Sequence, residues 1–103
     1  EQGLYIFAYT ITIENRGTTP VQLLSRHWII TDGNREVHEV KGDGVVGKQP
    51  VLGPGEAFMY TSACPLTTPT GNMRGTYLMT SDSGRQFPVK IPLFFLRHLE
   101  SLQ

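Results

Sequence analysis

The segment Gly42–Gly47 has the glycine spacing G-x-G-x-x-G, which in nucleotide-binding proteins brings a loop close to a pyrophosphate group. In a dinucleotide-binding fold these glycines follow a strand and open a helix. Pro50 and Pro54 follow too closely for a helix, which argues against that fold. Two interpretations remain: the glycines serve turns with positive φ, or the backbone N–H groups of the loop bind an anion. The candidate anion-binding residues are Lys41, Gly42, Gly44, Gly47 and Lys48.

A second candidate lies at Arg26 and Trp28, which flank His27. Alternate residues on a regular strand share a face, and an arginine can stack on an indole ring. One interpretation is a recognition surface formed by Arg26 and Trp28. The other is a buried Trp28 at the centre of the fold, with Arg26 covering its rim.

The histidines and the single cysteine do not form a metal-binding pattern. His27, His38, His98 and Cys64 show no spacing such as H-x-x-x-H or C-x-x-C. His38 and Glu39 are adjacent, so on a strand they point to opposite faces. We therefore predict no metal site and no cofactor.

Catalytic chemistry is not indicated either, because a nucleophile needs a base and a group that orients the base. Ser25 and His27 share a face if their strand is regular, but no G-x-S-x-G turn accompanies them. Cys64 precedes Pro65 at a predicted strand end, where a small apolar side chain is expected. We predict that the protein is not an enzyme and has no catalytic residue.

Charge and cysteine content limit the classes of binding partner and the cellular compartment that we expect. The 103 residues carry 9 basic and 9 acidic side chains, so the formal net charge is zero. Such a chain has no strong positive field for nucleic acid or for an anionic membrane, and we predict neither as a partner. One cysteine excludes an internal disulfide and suits a reducing compartment, so we predict a cytoplasmic protein.

The elements that must position these residues are strands. Of the 103 residues, 34 are Val, Ile, Thr, Tyr, Phe or Trp and only 3 are Ala, while Gly and Pro punctuate short runs. In the predicted strand Val21–Thr31, the apolar residues change from one face to the other near Leu24 and Ser25, which predicts a β-bulge. Pro88 and Pro92 belong at an edge or a bulge. The predicted strands are Leu4–Glu14, Val21–Thr31, Glu36–Lys41, Ala57–Cys64, Met73–Thr80 and Gln86–Leu96, with a further short strand considered at Val45–Val46 and a loop at Pro65–Asn72.

These strands predict one all-β domain, an antiparallel β-sandwich of the immunoglobulin or fibronectin type III kind. The domain spans residues 1–103, with a core of about 1–96 and a loose tail of 97–103. The predicted core residues are Phe7, Tyr9, Ile11, Trp28, Ile30, Phe58, Tyr60, Tyr77, Phe87, Val89 and Ile91.

Several longer segments resemble the ApaG family, in family order from about Tyr5 to Leu96. The segments are Phe7–Ile13, Val21–Trp28, Gly42–Leu52, Pro54–Ser62, Gly71–Tyr77 and Phe87–Phe94. The resemblance implies a fibronectin type III-like sandwich, found as a small bacterial protein or as a module of eukaryotic F-box proteins and of a polymerase-delta-interacting protein. It implies no established biochemical role, although bacterial members are associated with cobalt resistance and magnesium efflux, and their genes adjoin one for a diadenosine tetraphosphate hydrolase.

The expected function is a non-enzymatic protein-interaction module with an unknown protein partner, since sandwiches bind through loops and strand edges. The alternative is a protein that binds a nucleotide or pyrophosphate anion through Gly42–Gly47.

Family members usually carry a further strand ahead of the one that begins near Tyr5. Without it, a long apolar strand would have an empty edge, which is a template for association. We therefore expect either residues that precede Glu1 or a homodimer that covers this edge.

Overall fold

A computed structural model describes residues 3–97 as an all-β protein with antiparallel strand pairing. Within these residues no helix is long and apolar enough to cross a membrane. Of the predicted tail, 97–103, the structure describes only Arg97, at which the last strand ends; the remainder, which includes His98, lies outside the described residues. The strands are β1 (Tyr5–Glu14), β2 (Val21–Asp32), β3 (Val37–Asp43), β4 (Val51–Leu52), β5 (Ala57–Leu66), β6 (Thr70–Ser81) and β7 (Gln86–Arg97).

The strands form two sheets, which confirms the predicted sandwich. The small sheet is β1 and β5, paired without interruption from Tyr5 opposite Leu66 to Glu14 opposite Ala57. The large sheet has the order β3-β2-β6-β7, and β4 pairs with the start of β2. Within the described residues, β1 and β5 pair only with each other, so each has a second edge without a strand beside it.

The predicted bulge in β2 is confirmed. The β2–β6 register shifts between Leu23 and Ser25, which releases Leu24 from the ladder. The Leu24 carbonyl instead accepts hydrogen bonds from the Gly44 amide at 2.8 Å and the Gln49 side-chain amide at 2.9 Å. The glycine-rich segment is therefore fastened to the bulge, next to the short strand β4.

The predicted loop at Pro65–Asn72 and the short strand considered at Val45–Val46 are wrong, and β3 ends at Asp43 rather than Lys41. The segment Pro65–Asn72 is not all loop, because β5 continues to Leu66 and β6 begins at Thr70. Pro65 is tolerated in a strand because β5 lies at a sheet edge. Val45–Val46 is not a strand, since Val45 makes only an isolated bridge with Lys48 across a tight turn.

The prolines of β7 fit their prediction. Pro88 and Pro92 lie in a strand that pairs only with β6 within the described residues, so its other side needs no donors. A second register shift, between Met73 and Gly75, occurs where Pro92 would otherwise stand opposite β6. An edge strand with a bulge thus accommodates both rings.

Trp28 is the centre of the core, with 3% of its surface exposed. Its indole makes edge-on contacts with Tyr9, Tyr77 and Phe94 at centroid distances of 5.7, 6.3 and 5.9 Å. The hydroxyls of Tyr60 and Tyr77 are 2.6 Å apart, so a buried hydrogen bond joins the small sheet to the large one. The aromatic cluster thereby fixes how the sheets face each other.

The predicted core is correct at six buried positions and wrong at Val89, which is 37% exposed, while Tyr9 is partly buried. The six buried positions are Phe7, Trp28, Ile30, Tyr60, Tyr77 and Ile91. Val89 stands opposite buried Tyr77 on the inner face of the large sheet, but the two-stranded small sheet does not cover this part of β7. Ile11, Phe58 and Phe87 are only partly buried. Buried residues absent from the predicted core are Leu23, Val45, Leu52, Cys64, Leu66, Met73, Met79 and Leu96.

Candidate binding groove

The glycine-rich segment folds as a tight turn, and we call residues Gly42–Lys48 the glycine hairpin. Val45 and Lys48 exchange backbone hydrogen bonds of 2.8 and 2.9 Å. The two residues between them, Val46 and Gly47, have φ values of 44° and 78°. Two successive positive φ angles define a type I′ turn, which usually holds Asn or Gly. A β-branched residue such as Val46 is rare in that position.

The amides of the glycine hairpin are largely used inside the chain. Gly44 donates to Leu24, Val45 donates to Lys48, and Lys48 donates to Val45. Gly44 itself has a φ of 64°, and a Cβ there would lie 2.3 Å from the Lys48 carbonyl oxygen, so only glycine fits. These glycines thus have a structural role, and few N–H groups are left for an anion.

The two lysines proposed to flank an anion do not converge. Lys41 stands opposite His27 on the outer face of the large sheet and lines a cavity of about 440 Å³ there. Lys48 is exposed at the end of the turn. Gly42, by contrast, lies under Arg26, where a Cβ would be 2.8 Å from Nη1 of the guanidinium.

Arg26 fastens the glycine hairpin to the sheet. Its Nη1 donates to the carbonyl oxygens of Asp43 at 3.0 Å and Gly44 at 2.9 Å. Arg26 is half-buried, whereas Trp28 is enclosed by the core. The geometry therefore favours the buried-Trp28 interpretation, with Arg26 at the rim of the aromatic cluster.

Arg26, Trp28 and the glycine hairpin share one cavity of about 260 Å³ between the two sheets. Burial raises the pKa of Tyr9, although a hydrogen bond to Ser62 and the positive charge of Arg26 act in the opposite direction. Burial also raises the pKa of Tyr60, opposed by its hydrogen bond to Tyr77 and again by Arg26. The space is therefore surrounded by neutral hydroxyls and one cation, with Asp43 at its rim. Its lining residues are Tyr9, Arg26, Trp28, Asp43, Val45, Val46, Gly47, Tyr60 and Ser62.

A larger cavity of about 490 Å³ continues along β5. Val40 and His38 line it from the inner face of β3, and Cys64 and Leu66 line it from β5. The remaining lining residues are Leu4, Ile30, Asp32, Glu36, Pro65 and Thr67. Because Ser62, Cys64 and Leu66 alternate along one face of β5, the two cavities follow each other, and we call them together the β5 groove.

Asp32, Glu36 and His38 lie at the far end of the β5 groove, and the sequence patterns above did not predict their meeting. One potential ligand atom from each lies within 4.8 Å of the others. Burial opposes ionisation of Asp32, but the amides of Glu36 and Asn34, together with His38, hold its pKa below the usual value. The turn alone accounts for the position of the Asp32 carboxylate, since its Oδ1 accepts hydrogen bonds from the amides of Asn34 at 2.8 Å and Glu36 at 3.0 Å. The signal available in the sequence was that Glu36 and His38 follow Asp32 by only four and six residues, across a turn.

The predicted separation of His38 from Glu39 is confirmed. His38 faces Asp32 in the groove at 3.3 Å, whereas Glu39 pairs with His27 on the outer face at 2.8 Å. Cys64 is buried, and burial raises the pKa of its thiol. Among residues 3–97, no hydrogen bond joins this thiol to an imidazole, and a protonated thiol is a weak nucleophile.

The sequence pattern that defines the ApaG domain matches residues 1–81 of this chain. The chain belongs to the ApaG family. It is 62% identical to Protein ApaG of Dechloromonas aromatica over 96 residues, which are 93% of this chain and 76% of that protein. It is 57% identical to Protein ApaG of a Methylobacterium species over 96 residues, which are 93% of this chain and 74% of that protein.

A solved structure has the same fold. The crystal structure of an ApaA protein from Bordetella pertussis superimposes with a TM-score of 0.90 at 57% sequence identity, covering 94% of this chain and 79% of that one. The names of these ApaG relatives state no activity or ligand. The predicted family and fold are confirmed, and the ApaG family's biochemical role is not established.

Proposed function

We propose that this protein is a non-enzymatic, cytoplasmic interaction module that binds another protein in the β5 groove. The observation that carries the proposal is the second edge of β5, which has no neighbouring strand within residues 3–97. Beside it, the inner face of β3 is exposed at His38 and Val40. A strand edge next to an uncovered sheet face has both the hydrogen-bonding groups and the space for an extended segment.

The chemistry of the groove supports binding rather than catalysis. Its polar groups near the glycine hairpin are a guanidinium and hydroxyls, and Cys64 is held as the thiol. His38 is turned toward Asp32 rather than toward a nucleophile. An enzyme would need a nucleophile, a base and an orienting group in contact.

The alternative proposal is a binding site for a nucleotide or pyrophosphate at the glycine hairpin. Its support is the glycine spacing and the two neighbouring lysines, Lys41 and Lys48. Three of the hairpin amides donate within the chain, and the two lysines lie apart. The alternative therefore ranks second.

Site-directed cross-linking tests the main proposal. A photoreactive phenylalanine replaces Val46, which is 49% exposed at the rim of the groove. In an extract of Dechloromonas aromatica we expect one protein to be cross-linked, and an excess of unmodified chain to compete with it. The same residue at Thr12, exposed on the outer face of the small sheet, is the matched control.

Equal labelling from both positions, or labelling without competition, would contradict the main proposal. The alternative is measured in parallel by calorimetric titration with ATP and pyrophosphate. Saturable micromolar binding that is abolished by Lys41→Ala and Lys48→Ala would reverse the ranking.

A further inference from the structure

The charge of Arg26 is not balanced within the described residues. The ion pairs among residues 3–97 are Arg16–Glu14, His27–Glu39 and His38–Asp32. Arg26 uses only Nη1, for two backbone carbonyls, so Nε and Nη2 remain available as donors. A half-buried charge without a counter-ion is unfavourable. A carboxylate that enters the cavity would relieve this cost with a charge-assisted, two-point contact.

The size and charge of this cavity suit a carboxylate better than a nucleotide. Pockets for drug-sized ligands measure about 300–1,000 Å³, whereas this cavity is about 260 Å³. One guanidinium balances one negative charge, and neither Lys41 nor Lys48 lines the space. Asp43 lines the rim, but its register opposite Ser25 places its side chain on the outer face. An acidic side chain therefore matches the hairpin end of the groove.

The middle of the β5 groove is apolar. Ile30, Val40, Cys64 and Leu66 line it, and Val40 is 41% exposed. Cys64 and Leu66 lie two and four residues beyond Ser62 along β5, which is about 7 and 13 Å at the usual rise of a strand. A strand lying alongside would place its own alternate side chains at the same intervals.

The far end of the groove has the opposite charge to the hairpin end. Asp32 and Glu36 lie there beside His38. Asp32 is six residues from Arg26 along β2, which is about 20 Å in an extended strand. Asp32 is buried and paired with His38, so the exposed carboxylate at this end is that of Glu36. An extended segment with an acid at one end therefore meets complementary charge if it carries a base at the other.

We propose that the β5 groove binds an extended segment of a partner protein, with an acidic side chain at Arg26, apolar side chains two and four residues further on, and a basic side chain about six residues away. This inference rests on the proposed function and names the chemistry of the partner. The segment adds a strand to the free edge of β5, so its backbone supplies affinity and its alternate side chains supply specificity.

A capped peptide of about seven residues, in which glutamate, two valines and lysine alternate with threonines, reproduces this pattern. We expect saturable binding that perturbs the amide resonances of residues 60–64, of Leu66 and of Val46 and Gly47. Replacing the peptide's glutamate by glutamine should weaken binding about tenfold, as expected for loss of a charge-assisted contact. Replacing both valines by threonines should weaken it similarly.

Variants of the protein locate the contact. Arg26→Gln should weaken the glutamate peptide about tenfold and leave the glutamine peptide almost unchanged, because the two changes remove one interaction. Val40→Glu should abolish binding without disturbing the hairpin. Val37→Glu is the matched control, because Val37 is an exposed valine of the same strand on the outer face.

Several outcomes would overturn the inference: equal affinity for the glutamate and glutamine peptides, equal effects of Val40→Glu and Val37→Glu, or resonance changes confined to the outer face. Self-association of the chain that Val40→Glu abolishes would assign the groove to a second copy instead. A protein cross-linked from Val46 while every peptide fails would leave the proposed function standing and reject this partner chemistry.

Discussion

At the residue scale, the glycine hairpin combines a required glycine with an unfavourable valine. Gly44 is required because its φ is positive and its Cβ position is occupied by a carbonyl oxygen. Val46 also has a positive φ, although it is a β-branched residue, for which this backbone conformation is unfavourable. Strained residues of this kind concentrate at binding sites, where the surrounding structure holds them in place. Val46 lies at the rim of the β5 groove, so its strain and its exposure coincide where the proposal places the partner.

Relief of this strain is a testable consequence. Val46→Asn should increase the free energy of unfolding by about 1 kcal/mol, because asparagine tolerates the left-handed region that a β-branched residue disfavours. Val37→Asn, in an exposed strand position, is the control and should destabilise the protein slightly. Chemical denaturation measures both. An unchanged or lower stability for Val46→Asn would mean that Val46 is not strained in solution.

Asp32 makes the stability depend on pH in the acid range. Its pKa is lowered in the folded chain despite burial, because the Glu36 and Asn34 amides and His38 favour the carboxylate. The resulting stabilisation is complete above the ordinary pKa of about 3.9 and is lost as pH falls through the lower folded value. Unfolding measured between about pH 5 and about pH 2 should therefore show a steeper loss for the natural chain than for Asp32→Asn. Parallel curves would contradict this assignment.

At the element scale, the core depends on one close approach between β2 and β6. Gly75 stands opposite Trp28, and a Cβ at Gly75 would lie 2.1 Å from the carbonyl oxygen of His27. The close approach is between the backbones of the two strands, so position 75 must be glycine for β2 and β6 to pair here. The bulge between Met73 and Gly75 lies at the same place.

Truncation of the indole should be severe. Trp28→Ala removes contacts with Tyr9, Tyr77 and Phe94 and should cost about 3–5 kcal/mol, a large share of a small domain's stability. Thermal and chemical denaturation measure the loss. Phe95→Ala, at a ring that is 74% exposed, is the control and should change stability little. Comparable losses in the two variants would show that Trp28 is not the centre of the core.

The elements were predictable where the sequence pattern is local. The change of phase at Leu24 and Ser25 predicted the β2 bulge because alternation has a period of two residues. The turn at the tip of the glycine hairpin was not predictable, since Val46 contradicts the usual composition of a type I′ turn. Exposure of Val89 depends on how far the small sheet extends over the large one, which alternation along β7 does not encode.

The candidate site was predictable only in part for the same reason. Arg26, Trp28 and the glycine spacing were visible as separate signals, and the sandwich brings them to one cavity. Tyr9, Tyr60 and Ser62 complete that cavity from the other sheet, and no local pattern connects them with Arg26. The meeting of Asp32 with His38 likewise depends on the register between β2 and β3.

At the scale of the whole molecule, the two sheets are unequal, and this inequality leaves two margins of the large sheet's inner face uncovered. The small sheet has two strands and the large sheet has four along its main path. On one side the inner face of β3 extends beyond β5 and forms the floor of the β5 groove. On the other side β7 extends beyond β1 and leaves Val89 exposed. The first margin has a cation at one end and carboxylates at the other.

The second edge of β1 leads to the last prediction. Between Ala8 and Ile13, β1 has no charged side chain, no proline and no register shift, so this part of the strand lacks the features that protect edge strands from association. We expect the 103-residue chain to form a dimer through β1, burying more than ~1,000 Å². Light scattering should give twice the monomer mass, and lysines in place of the exposed Ile6 and Ala8 should restore the monomer. Lysine in place of Thr18, in the loop after β1, is the control and should leave the dimer intact. Because Val40 lies on the opposite margin, Val40→Glu should also leave the dimer intact. A monomer at high concentration for the unsubstituted 103-residue chain would refute the prediction.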